Sequence, residues 1–587
     1  MNRLSVGICA VVLGLGCLTH SQTSRLPATK KLIEYGWDVP TPAFVRDHIR
    51  EMEKRPFDGL MMRLAGGNRG KVLFGGRYKE TDFAADIEAL RGIDWQRFKH
   101  NFLMMYAAAD ADWYSDEDWA NVRFNVSLVA RAAKAGKCHL TFDAEPYGAN
   151  PWHYPTQKHA ATKSFAEYRV IARQRGAEFM EAIQQELPQA VVHTFFTFSY
   201  ATRLTANDDP YAGLTRHHYG LYFDFLNGML AAAGPGITLT DGNERSYYYQ
   251  DSESFFRSYH SMRQTGLALI APENVQKFLT QTQAAQALYV DHLFDLRTRK
   301  YLSRYMTPAE RANWFQHNVY WAMTTSDEFV WLYSEKMNWW KNKVPEGLAE
   351  AVLAARQKLA EDKPLGYTIE DIVAQAKARQ KTELEKKLIT RQAKVRRLGK
   401  APQIDGTLGA GEWESATALA PFVPYVTAKA DPKVKTTAWV AYDDQALYIA
   451  VRCPEPLPKK IVSSGNKRDD EVWRADSVDV FITDQAKGAP HAHFILAPNN
   501  TRWDARFSGD NDLAWNPRWE SKTSTQGKQW TAEIAIPWQE LGITPKAGLK
   551  LRANVCRQRI PVRENTTWSQ CVGGFTEHDH FGTWVLE

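Results

Sequence analysis

The alternation of short apolar runs with helical patterns between residues 30 and 340 constrains the fold more than any other feature. Strands that alternate with helices form parallel sheets, because each helix carries the chain back across the sheet to the next strand. Eight such units fit a (β/α)8 barrel, and a doubly wound open sheet is the competing topology. No Gly-rich dinucleotide-binding loop follows any of the eight runs, which favours the barrel. The predicted strands are 32–37, 57–64, 102–107, 138–142, 191–198, 237–240, 267–271 and 329–333.

The pattern changes after residue 344, which indicates further domains. Residues 345–397 are charged and helical and predict a helical segment and linker. Beyond Pro402, short alternating strands bounded by Gly, Pro, Asp or Asn predict an antiparallel β-sandwich. The predicted organisation is a barrel over 30–344, a helical segment and linker over 345–397, and a β-sandwich over 398–587.

Five motifs occur in order through the C-terminal region. They are Ile404-Asp405-Gly406-Thr407-Leu408 with Gly411-Glu412-Trp413, then 441–449, 473–481 and 533–538, and finally Phe581-Gly582. In this order they resemble the family nine carbohydrate-binding modules and their relatives. The resemblance implies that 398–587 is a β-sandwich that binds carbohydrate. The barrel region resembles the glycoside hydrolase superfamily more loosely and indicates no particular family.

The first 21 residues predict export. Arg3 forms a short positive region, residues 4–18 are apolar, and Thr19-His20-Ser21 could precede a cleavage site. Leu15-Gly16-Cys17 loosely resembles a bacterial lipobox, although Gly14 stands where a Leu is expected. The interpretation is a signal peptide over 1–21 and a secreted or periplasmic protein, with lipidation of Cys17 left open.

Charge and hydropathy argue against two classes of partner. The net charge is +6, but ten Lys or Arg stand against two Glu between Lys377 and Lys400, so the remainder is slightly acidic. No nucleic-acid-binding motif accompanies this segment, which predicts a solvated helix and no nucleic-acid partner. Mean hydropathy is −0.46. After residue 20 no apolar run approaches the roughly 18 residues that span a bilayer, so no transmembrane span is predicted in the mature chain.

Residues 140–147 give the sharpest indication of chemistry. An apolar strand ends there in Asp143-Ala144-Glu145 and is stopped by Pro146. Successive side chains of a strand point to opposite faces, so Asp143 and Glu145 share a side and can both face the barrel mouth. The charge of Asp143 would favour a protonated Glu145, as a general acid requires. Glu-Pro at the end of strand four also resembles the acid/base position of many retaining barrel glycosidases, although Ala144 replaces their usual Asn. The alternative is an acidic pair that only caps a loop.

Cleavage of a glycosidic bond needs a second carboxyl group. Glu244 follows the sixth predicted strand and precedes three tyrosines, and Glu335 follows the eighth, near Trp339. Glu273 follows the seventh, where such retaining barrels keep their nucleophile, but in a different sequence context. Glu244 and Glu335 rank ahead because of their aromatic neighbours, and Trp339 is predicted to contact substrate.

The C-terminal domain is rich in tryptophan, whose flat ring can bury the apolar face of a sugar. Trp530 and Trp538 lie inside strand motifs and are predicted core residues. Trp503, Trp515 and Trp519 lie in loop-like sequence and are the predicted substrate-stacking residues.

No metal site is predicted, and the predicted chemistry requires no cofactor. His491 and His493 could place two rings on one side of a strand, but no third ligand stands near them in the sequence. The acidic turn Asp469-Asp470-Glu471 could bind Ca²⁺, as related modules do, or could be a solvated turn.

These observations predict a secreted enzyme that hydrolyses O-glycosidic bonds of a polysaccharide or glycan and carries a carbohydrate-binding domain. Glu145 is the predicted proton donor, Asp143 tunes it, and Glu244 or Glu335 is the second carboxyl group. The alternative is a non-catalytic glycan-binding protein whose barrel presents a groove without a working acid pair. A lyase is a weaker third hypothesis, and the absence of a Gly-x-Ser-x-Gly motif gives serine hydrolase chemistry no support.

Overall fold

The computed structural model describes residues 30–587 except 68, 108–109, 207–208, 210, 298–300, 432–433, 464, 466, 509–510 and 513. The predicted signal peptide over 1–21, with Cys17, lies outside the described residues. The chain divides into two compact units between Lys377 and Ala378.

Nine strands form one parallel sheet in the first unit, in the order β7-β6-β5-β4-β3-β2-β1-β9-β8. Their bounds are β1 Lys31–Gly36, β2 Gly59–Met62, β3 Phe102–Tyr106, β4 His139–Asp143, β5 Val191–Thr194, β6 Thr238–Asp241, β7 Thr282–Ala284, β8 Gln286–Tyr289 and β9 Phe329–Ser334. Only Ala285 separates β7 from β8, yet β7 pairs with β6 and β8 pairs with β9. The two ends of the sheet therefore meet at one interrupted strand, and the predicted (β/α)8 barrel is confirmed.

Most helices connect the barrel strands, two follow the last strand, and together they bury apolar residues in the same core. Their bounds are α1 Pro42–Met52, α2 Ala84–Arg91, α3 Asp116–Ala135, α4 Phe165–Glu186, α5 Tyr222–Ala232, α6 Ser252–Arg263, α7 Val275–Gln281, α8 Val290–Leu293, α9 Pro308–Thr324, α10 Leu348–Ala360 and α11 Glu370–Glu385. The long helix after β4 begins with a capping box, in which Ser164 and Glu167 each bond to the other's backbone amide. On its inner face Phe179 and Ile183 are buried.

The predicted position of strand seven is wrong. Residues Thr265–Leu269 form a 3-10 helix, and β7 with β8 occupies the seventh barrel position. In the true strand, Gln283 and Gln286 interrupt the apolar residues, so no continuous apolar run marks it. Its Gln286 is fully buried, where its side chain bonds with Asn243 Nδ2 at 2.8 Å and Thr325 Oγ1 at 3.1 Å. These hydrogen bonds replace those that water would make, so a polar side chain is tolerated inside the barrel.

Aromatic rings fill the barrel interior and fix the end of β6. Phe195 follows β5 and Trp331 lies on β9, yet their rings stack with centroids 4.5 Å apart. Because β5 and β9 are not neighbours in the sheet, these rings meet across the interior. Trp331 Nε1 donates to the Gly242 carbonyl at 2.8 Å. A Cβ at Gly242 would lie 2.3 Å from the Thr194 carbonyl oxygen, so this close approach requires glycine.

The second unit is a 14-stranded sheet in two layers, with strand order β18-β17-β16-β15-β21-β23-β10-β13-β14-β20-β19 and β11, β12 and β22 paired beside it. The bounds are β10 Gln392–Arg397, β11 Thr417–Leu419, β12 Val423–Pro424, β13 Thr437–Tyr442, β14 Ala446–Pro454, β15 Ser477–Thr483, β16 His491–Leu496, β17 Arg502–Phe507, β18 Asn511–Asp512, β19 Glu520–Gln526, β20 Gln529–Pro537, β21 Lys550–Arg559, β22 Glu564–Thr567 and β23 Gly582–Leu586, with a short helix α12 Trp538–Leu541. The pairs are antiparallel except those that β10 makes. Ile449, Val480 and Ile534 meet in the core between the layers. The predicted β-sandwich is confirmed.

The segment predicted to be helical over 345–397 contains α10 and α11 but ends in a strand. β10 pairs in parallel with both β23 and β13. Its sequence, Gln-Ala-Lys-Val-Arg-Arg, buries Val395 completely and leaves the basic side chains outside. A strand with one buried residue among charges has no clear alternation, and the charge run therefore resembles a solvated helix.

Two further findings concern the described part of the chain. No helix there is long and apolar enough to cross a membrane. No group of three or more His, Cys, Asp or Glu in these ranges is placed to hold a metal ion, so Ca²⁺ at Asp469-Asp470-Glu471 stays a prediction.

Candidate functional site

The four predicted catalytic residues follow the carboxyl ends of three barrel strands. Asp143 is the last residue of β4 and Glu145 lies two residues beyond it, while Glu244 follows β6 and Glu335 follows β9. The carboxyl ends of parallel barrel strands open onto one face, where the loops converge. The fold therefore brings all four residues to the same end of the barrel.

Tyr147 joins the two carboxyl groups that come from β4. Its hydroxyl oxygen lies 2.9 Å from Asp143 Oδ2 and 2.8 Å from Glu145 Oε2. A phenol has one hydrogen to donate, so both contacts are satisfied together when one of the two carboxyl groups carries a proton. Asp143 Oδ1 also accepts the Glu145 amide hydrogen, at 2.9 Å. The arrangement is suited to hold a proton among three oxygen-bearing groups.

The pKa of the Asp143 carboxyl group lies close to neutral pH. Its side chain is fully buried, and this burial raises its pKa to about 7, with the charge of Glu145 acting in the same direction. The loop that follows is held in place by Trp152, whose Nε1 donates to the Ala144 carbonyl at 2.7 Å. A carboxyl group with such a pKa can exchange its proton under the conditions in which enzymes work.

Glu244 brings a third carboxyl group from β6. Asn243 has a φ of +41°, in the left-handed region, and turns the chain after the strand. The Glu244 amide then donates to the Phe195 carbonyl at 3.0 Å. Burial raises the pKa of Glu244 to about 8, and the charges of Glu145 and Asp143 raise it further. Within the described ranges none of these three carboxyl groups forms an ion pair.

Tyrosines border the three carboxyl groups. Burial raises the pKa of Tyr219, Tyr247 and Tyr333, and the charges of Glu145 and Glu244 contribute in each case. The rings of Tyr247 and Tyr333 stack with centroids 5.5 Å apart. Rings with a polar hydroxyl offer both an apolar face and a hydrogen-bonding group, which are the two things a sugar presents.

Glu335 is held differently from the other three acids. One of its carboxylate oxygens accepts from Arg297 Nη1 at 2.7 Å and from the Tyr289 hydroxyl at 2.9 Å. Glu335 is thus held in an ion pair with Arg297, unlike the three carboxyl groups from β4 and β6. Glu273, the acid ranked lower in the sequence, forms an ion pair with Arg173 at 3.1 Å and is mostly exposed.

A further acidic pair was not selected from the sequence. Glu34 on β1 is fully buried, and burial together with the nearby Asp38 carboxyl raises the pKa of Glu34 well above its usual range. Asp38 Oδ2 accepts from the Trp339 amide at 2.9 Å. The sequence feature that indicates this pair is a single acid inside the apolar run Leu32-Ile33-Glu34-Tyr35. Burial of a carboxyl group without a cation to pair with is unfavourable, so an acid in such a run is a candidate functional residue.

The prediction that Trp339 contacts substrate is wrong. Its side chain is fully buried and packs edge-on against Phe57 with centroids 4.9 Å apart. Exposed rings at this end of the barrel include Trp37, which follows β1, Tyr147, and Tyr248, which follows β6, with exposed fractions of 63%, 53% and 50%. Lys336 Nζ lies 4.6 Å from the Trp37 ring centroid.

Two of the three predicted stacking residues of the second unit are buried as well. Trp503 is 6% exposed and Trp519 is 3% exposed, because Trp503 lies on β17 and Trp519 donates from Nε1 to Asp504 Oδ1 at 2.9 Å. Their prediction as exposed loop residues is wrong. Trp515 is half-buried and its role stays a prediction. The exposed tryptophan is Trp473, at 46%, which stands edge-on to Trp503 with centroids 6.0 Å apart.

The comparisons with known proteins agree with this division of the chain. The family described as "Carbohydrate family 9 binding domain-like" matches residues 404–587, so the second unit carries a domain of this kind. No curated protein matches the chain.

Solved structures resemble each part of the chain at low identity. A carbohydrate binding module family 9 from Caldicellulosiruptor kristjanssonii, in complex with cellotriose, is 19% identical over 34% of this chain and 94% of its own, with a TM-score of 0.26. An O-GlcNAc hydrolase variant from Thermobaculum terrenum is 10% identical over 61% of this chain and 65% of its own, with a TM-score of 0.33. A GH5-4 broad specificity endoglucanase from Clostridium longisporum is 10% identical over 55% of this chain and 87% of its own, with a TM-score of 0.32.

Proposed function

We propose that this protein is a secreted glycoside hydrolase that cleaves O-glycosidic bonds of a polysaccharide or glycan. One observation carries the proposal. Asp143, Glu145 and Glu244 lie close together at the barrel mouth, where burial and the charge of Glu145 raise the pKa of Asp143 and Glu244, and none of the three is neutralised by an ion pair in the described ranges. Glycosidic hydrolysis needs one protonated and one ionised carboxyl group, and a carboxyl group with a pKa above 7 can serve as the protonated one.

The pKa values support a division of roles between the strands. With a pKa of about 8, Glu244 holds its proton at pH 7 and is the proton donor to the departing sugar oxygen. Glu145 is assigned as its partner, the carboxylate that either attacks the anomeric carbon or activates a water molecule. Asp143, in contact with the Tyr147 hydroxyl, gains or loses a proton near pH 7, and this changes the negative charge next to Glu145. This exchanges the roles expected from the sequence, where Glu145 was the donor.

The experiment that tests the function is a screen of the purified protein against soluble polysaccharides and oligosaccharides of defined linkage, with release of reducing ends as the measure. The matched control is the Glu145→Gln/Glu244→Gln double variant, prepared identically. Release by the wild type alone supports the hydrolase. If the wild type binds a glycan and releases nothing, the protein is instead a non-catalytic glycan-binding protein.

We also infer that the second unit binds glycan through Trp473. This ring is the exposed tryptophan of that unit's described residues, and the family match over 404–587 supports carbohydrate recognition there. Together with the predicted signal peptide, such a domain would keep the enzyme on an extracellular polymer.

The Trp473→Ala variant is expected to weaken glycan binding by about 10-fold or more, because an anchoring aromatic ring is typically worth over 1 kcal/mol. Affinity electrophoresis of the full chain would measure this, with Trp515→Ala as the comparison. Unchanged affinity for Trp473→Ala with a loss for Trp515→Ala would return the stacking role to the residue predicted from the sequence. A thermal melt separates lost contact from lost fold.

A further inference from the structure

A cavity of about 500 Å³ opens on the second unit and is lined by residues of β14, β19 and β20 and of the chain around Pro402. Its volume is within the range of sites that bind small molecules. The cavity lining includes neither Trp473 nor any of the barrel carboxyl groups.

The recess lies beside the face of the sheet that points away from the core between the layers. Strand β14 points Ile449 into that core, and Tyr448 lies on the other face, where it is buried with Ala535 in a second apolar cluster. Tyr448 is only 6% exposed, so it offers an edge of its ring to the cavity. The half-buried Pro402 and Ile404 give the cavity its apolar side.

Three arginines, Arg468, Arg502 and Arg518, line this cavity, and among the described lining residues Glu520 supplies the one carboxylate. Arg468 Nη2 donates to Asp504 Oδ1 at 2.6 Å and to the Pro517 carbonyl at 2.7 Å. Arg518 Nε donates to Glu540 Oε1 at 3.1 Å. These two guanidinium groups are therefore already neutralised in part.

Arg502 is the exception. Its Nη1 donates to the Trp519 carbonyl at 2.6 Å, and its guanidinium lies 5.4 Å from the centroid of the Trp519 ring. Both contacts are with uncharged groups, and across the described ranges Arg502 forms no ion pair. The group is thus fixed in position with its charge unmatched and with further N–H donors available.

A fixed guanidinium beside apolar side chains matches a ligand with two features. Its planar fork of N–H groups suits a carboxylate or sulfate, which can accept two hydrogen bonds at once. Half-buried apolar side chains such as Pro402 and Ile404 suit the apolar face of a sugar ring. We propose that this cavity binds an acidic sugar unit, whose carboxylate or sulfate pairs with Arg502 while its ring packs against Pro402 and Ile404.

The proposal deepens the proposed function by naming a substrate class, an acidic glycan, and its sugar component depends on that function. The two are separable, because hydrolysis depends on Glu145 and Glu244 in the barrel and acid recognition depends on Arg502. Binding of acidic sugars by a protein that hydrolyses nothing would overturn the hydrolase and leave this site standing.

The test is calorimetric titration of the full chain with three oligosaccharides of equal length: an oligogalacturonide, a sulfated galactan fragment and a neutral galactan fragment. Tighter binding of a charged oligosaccharide than of the neutral one is expected, and the better of the two identifies carboxylate or sulfate. Arg502→Gln should weaken that binding about 10- to 100-fold, since hydrogen bonds to charged groups are worth about 1.5–3 kcal/mol. Added salt should weaken it as well.

Arg452→Gln is the matched control, because Arg452 is an exposed arginine on β14 that does not line the cavity. Its guanidinium lies 5.0 Å from the centroid of the Trp439 ring. It should bind like the wild type. If Arg502→Gln does not fold, Ala535→Phe fills the recess without touching an arginine and should weaken binding equally. Equal affinity for neutral and charged oligosaccharides, or unchanged affinity of a folded Arg502→Gln or Ala535→Phe variant, would overturn the proposal.

Discussion

Replacing Glu244 by Gln is expected to slow hydrolysis of an unactivated glycan by about 10²–10⁴-fold, the usual contribution of a positioned general acid. A substrate with a dinitrophenyl leaving group should be affected far less, because that group departs without a proton. The wild-type rate should fall as the pH rises through about 8, where Glu244 loses its proton, and the variant should lack this decline. Initial rates on both substrates across pH 5–10 measure the effect.

The stability of this variant provides the control. Because the pKa of Glu244 is raised from 4.5 to about 8 in the folded protein, the folded state keeps a proton that the unfolded state loses between these values. Wild-type stability therefore declines with rising pH across that window, and Glu244→Gln does not share the decline. Above pH 8 the variant should be more stable than the wild type. A stable variant that keeps full activity on the unactivated glycan would show that Glu244 is not the donor.

Glu145→Gln is expected to lose at least about 10³-fold in turnover on both substrates, because the ionised partner is needed whatever the leaving group. The ratio of rates on the two substrates should stay near that of the wild type, in contrast to Glu244→Gln. Rates measured under the same conditions for the two variants thus assign the two roles.

Asp143→Asn is the matched variant for this assignment. It removes a charge that raises the pKa of Glu244, so the upper limb of the pH profile should move to lower pH while turnover below it is largely kept. If Glu145→Gln instead preserves activity on the dinitrophenyl substrate, Glu145 is the donor, as the sequence first indicated, and Glu244 is its partner.

The sequence was most informative where one physical rule decides the outcome. Seven of the eight barrel strands have an apolar run, and the acids at the end of the fourth run, Asp143 and Glu145, could be assigned to the barrel mouth, although β4 ends at Asp143 and Glu145 lies beyond the alternating part. The contacts of Tyr147 with both acids and the raised pKa of Glu244 could not be predicted, since both depend on contacts between loops that follow the barrel strands. The spacing along the chain contains no information about those contacts.

The errors have a common cause. Gln286 is buried because Asn243 and Thr325 satisfy it, and Trp519 is buried because Asp504 accepts its N–H. In both cases a partner distant in the chain favours burial, whereas the polar side chain of Gln286 and the loop-like sequence around Trp519 suggested exposure. Trp339 stands near Glu335 in the sequence, and this proximity was the ground for predicting that it contacts substrate. Side chains that are close in the sequence of a loop need not face the same way.

Strand β10 decides how the carbohydrate-binding domain can be cut out of the chain. The family match begins at residue 404, and a fragment chosen by that limit would omit the strand that pairs with both β23 and β13. Two strand edges would then be left with unpaired amide and carbonyl groups, which are templates for aggregation. A soluble binding domain must therefore begin before Gln392, and insolubility of a shorter fragment would reflect its exposed edges.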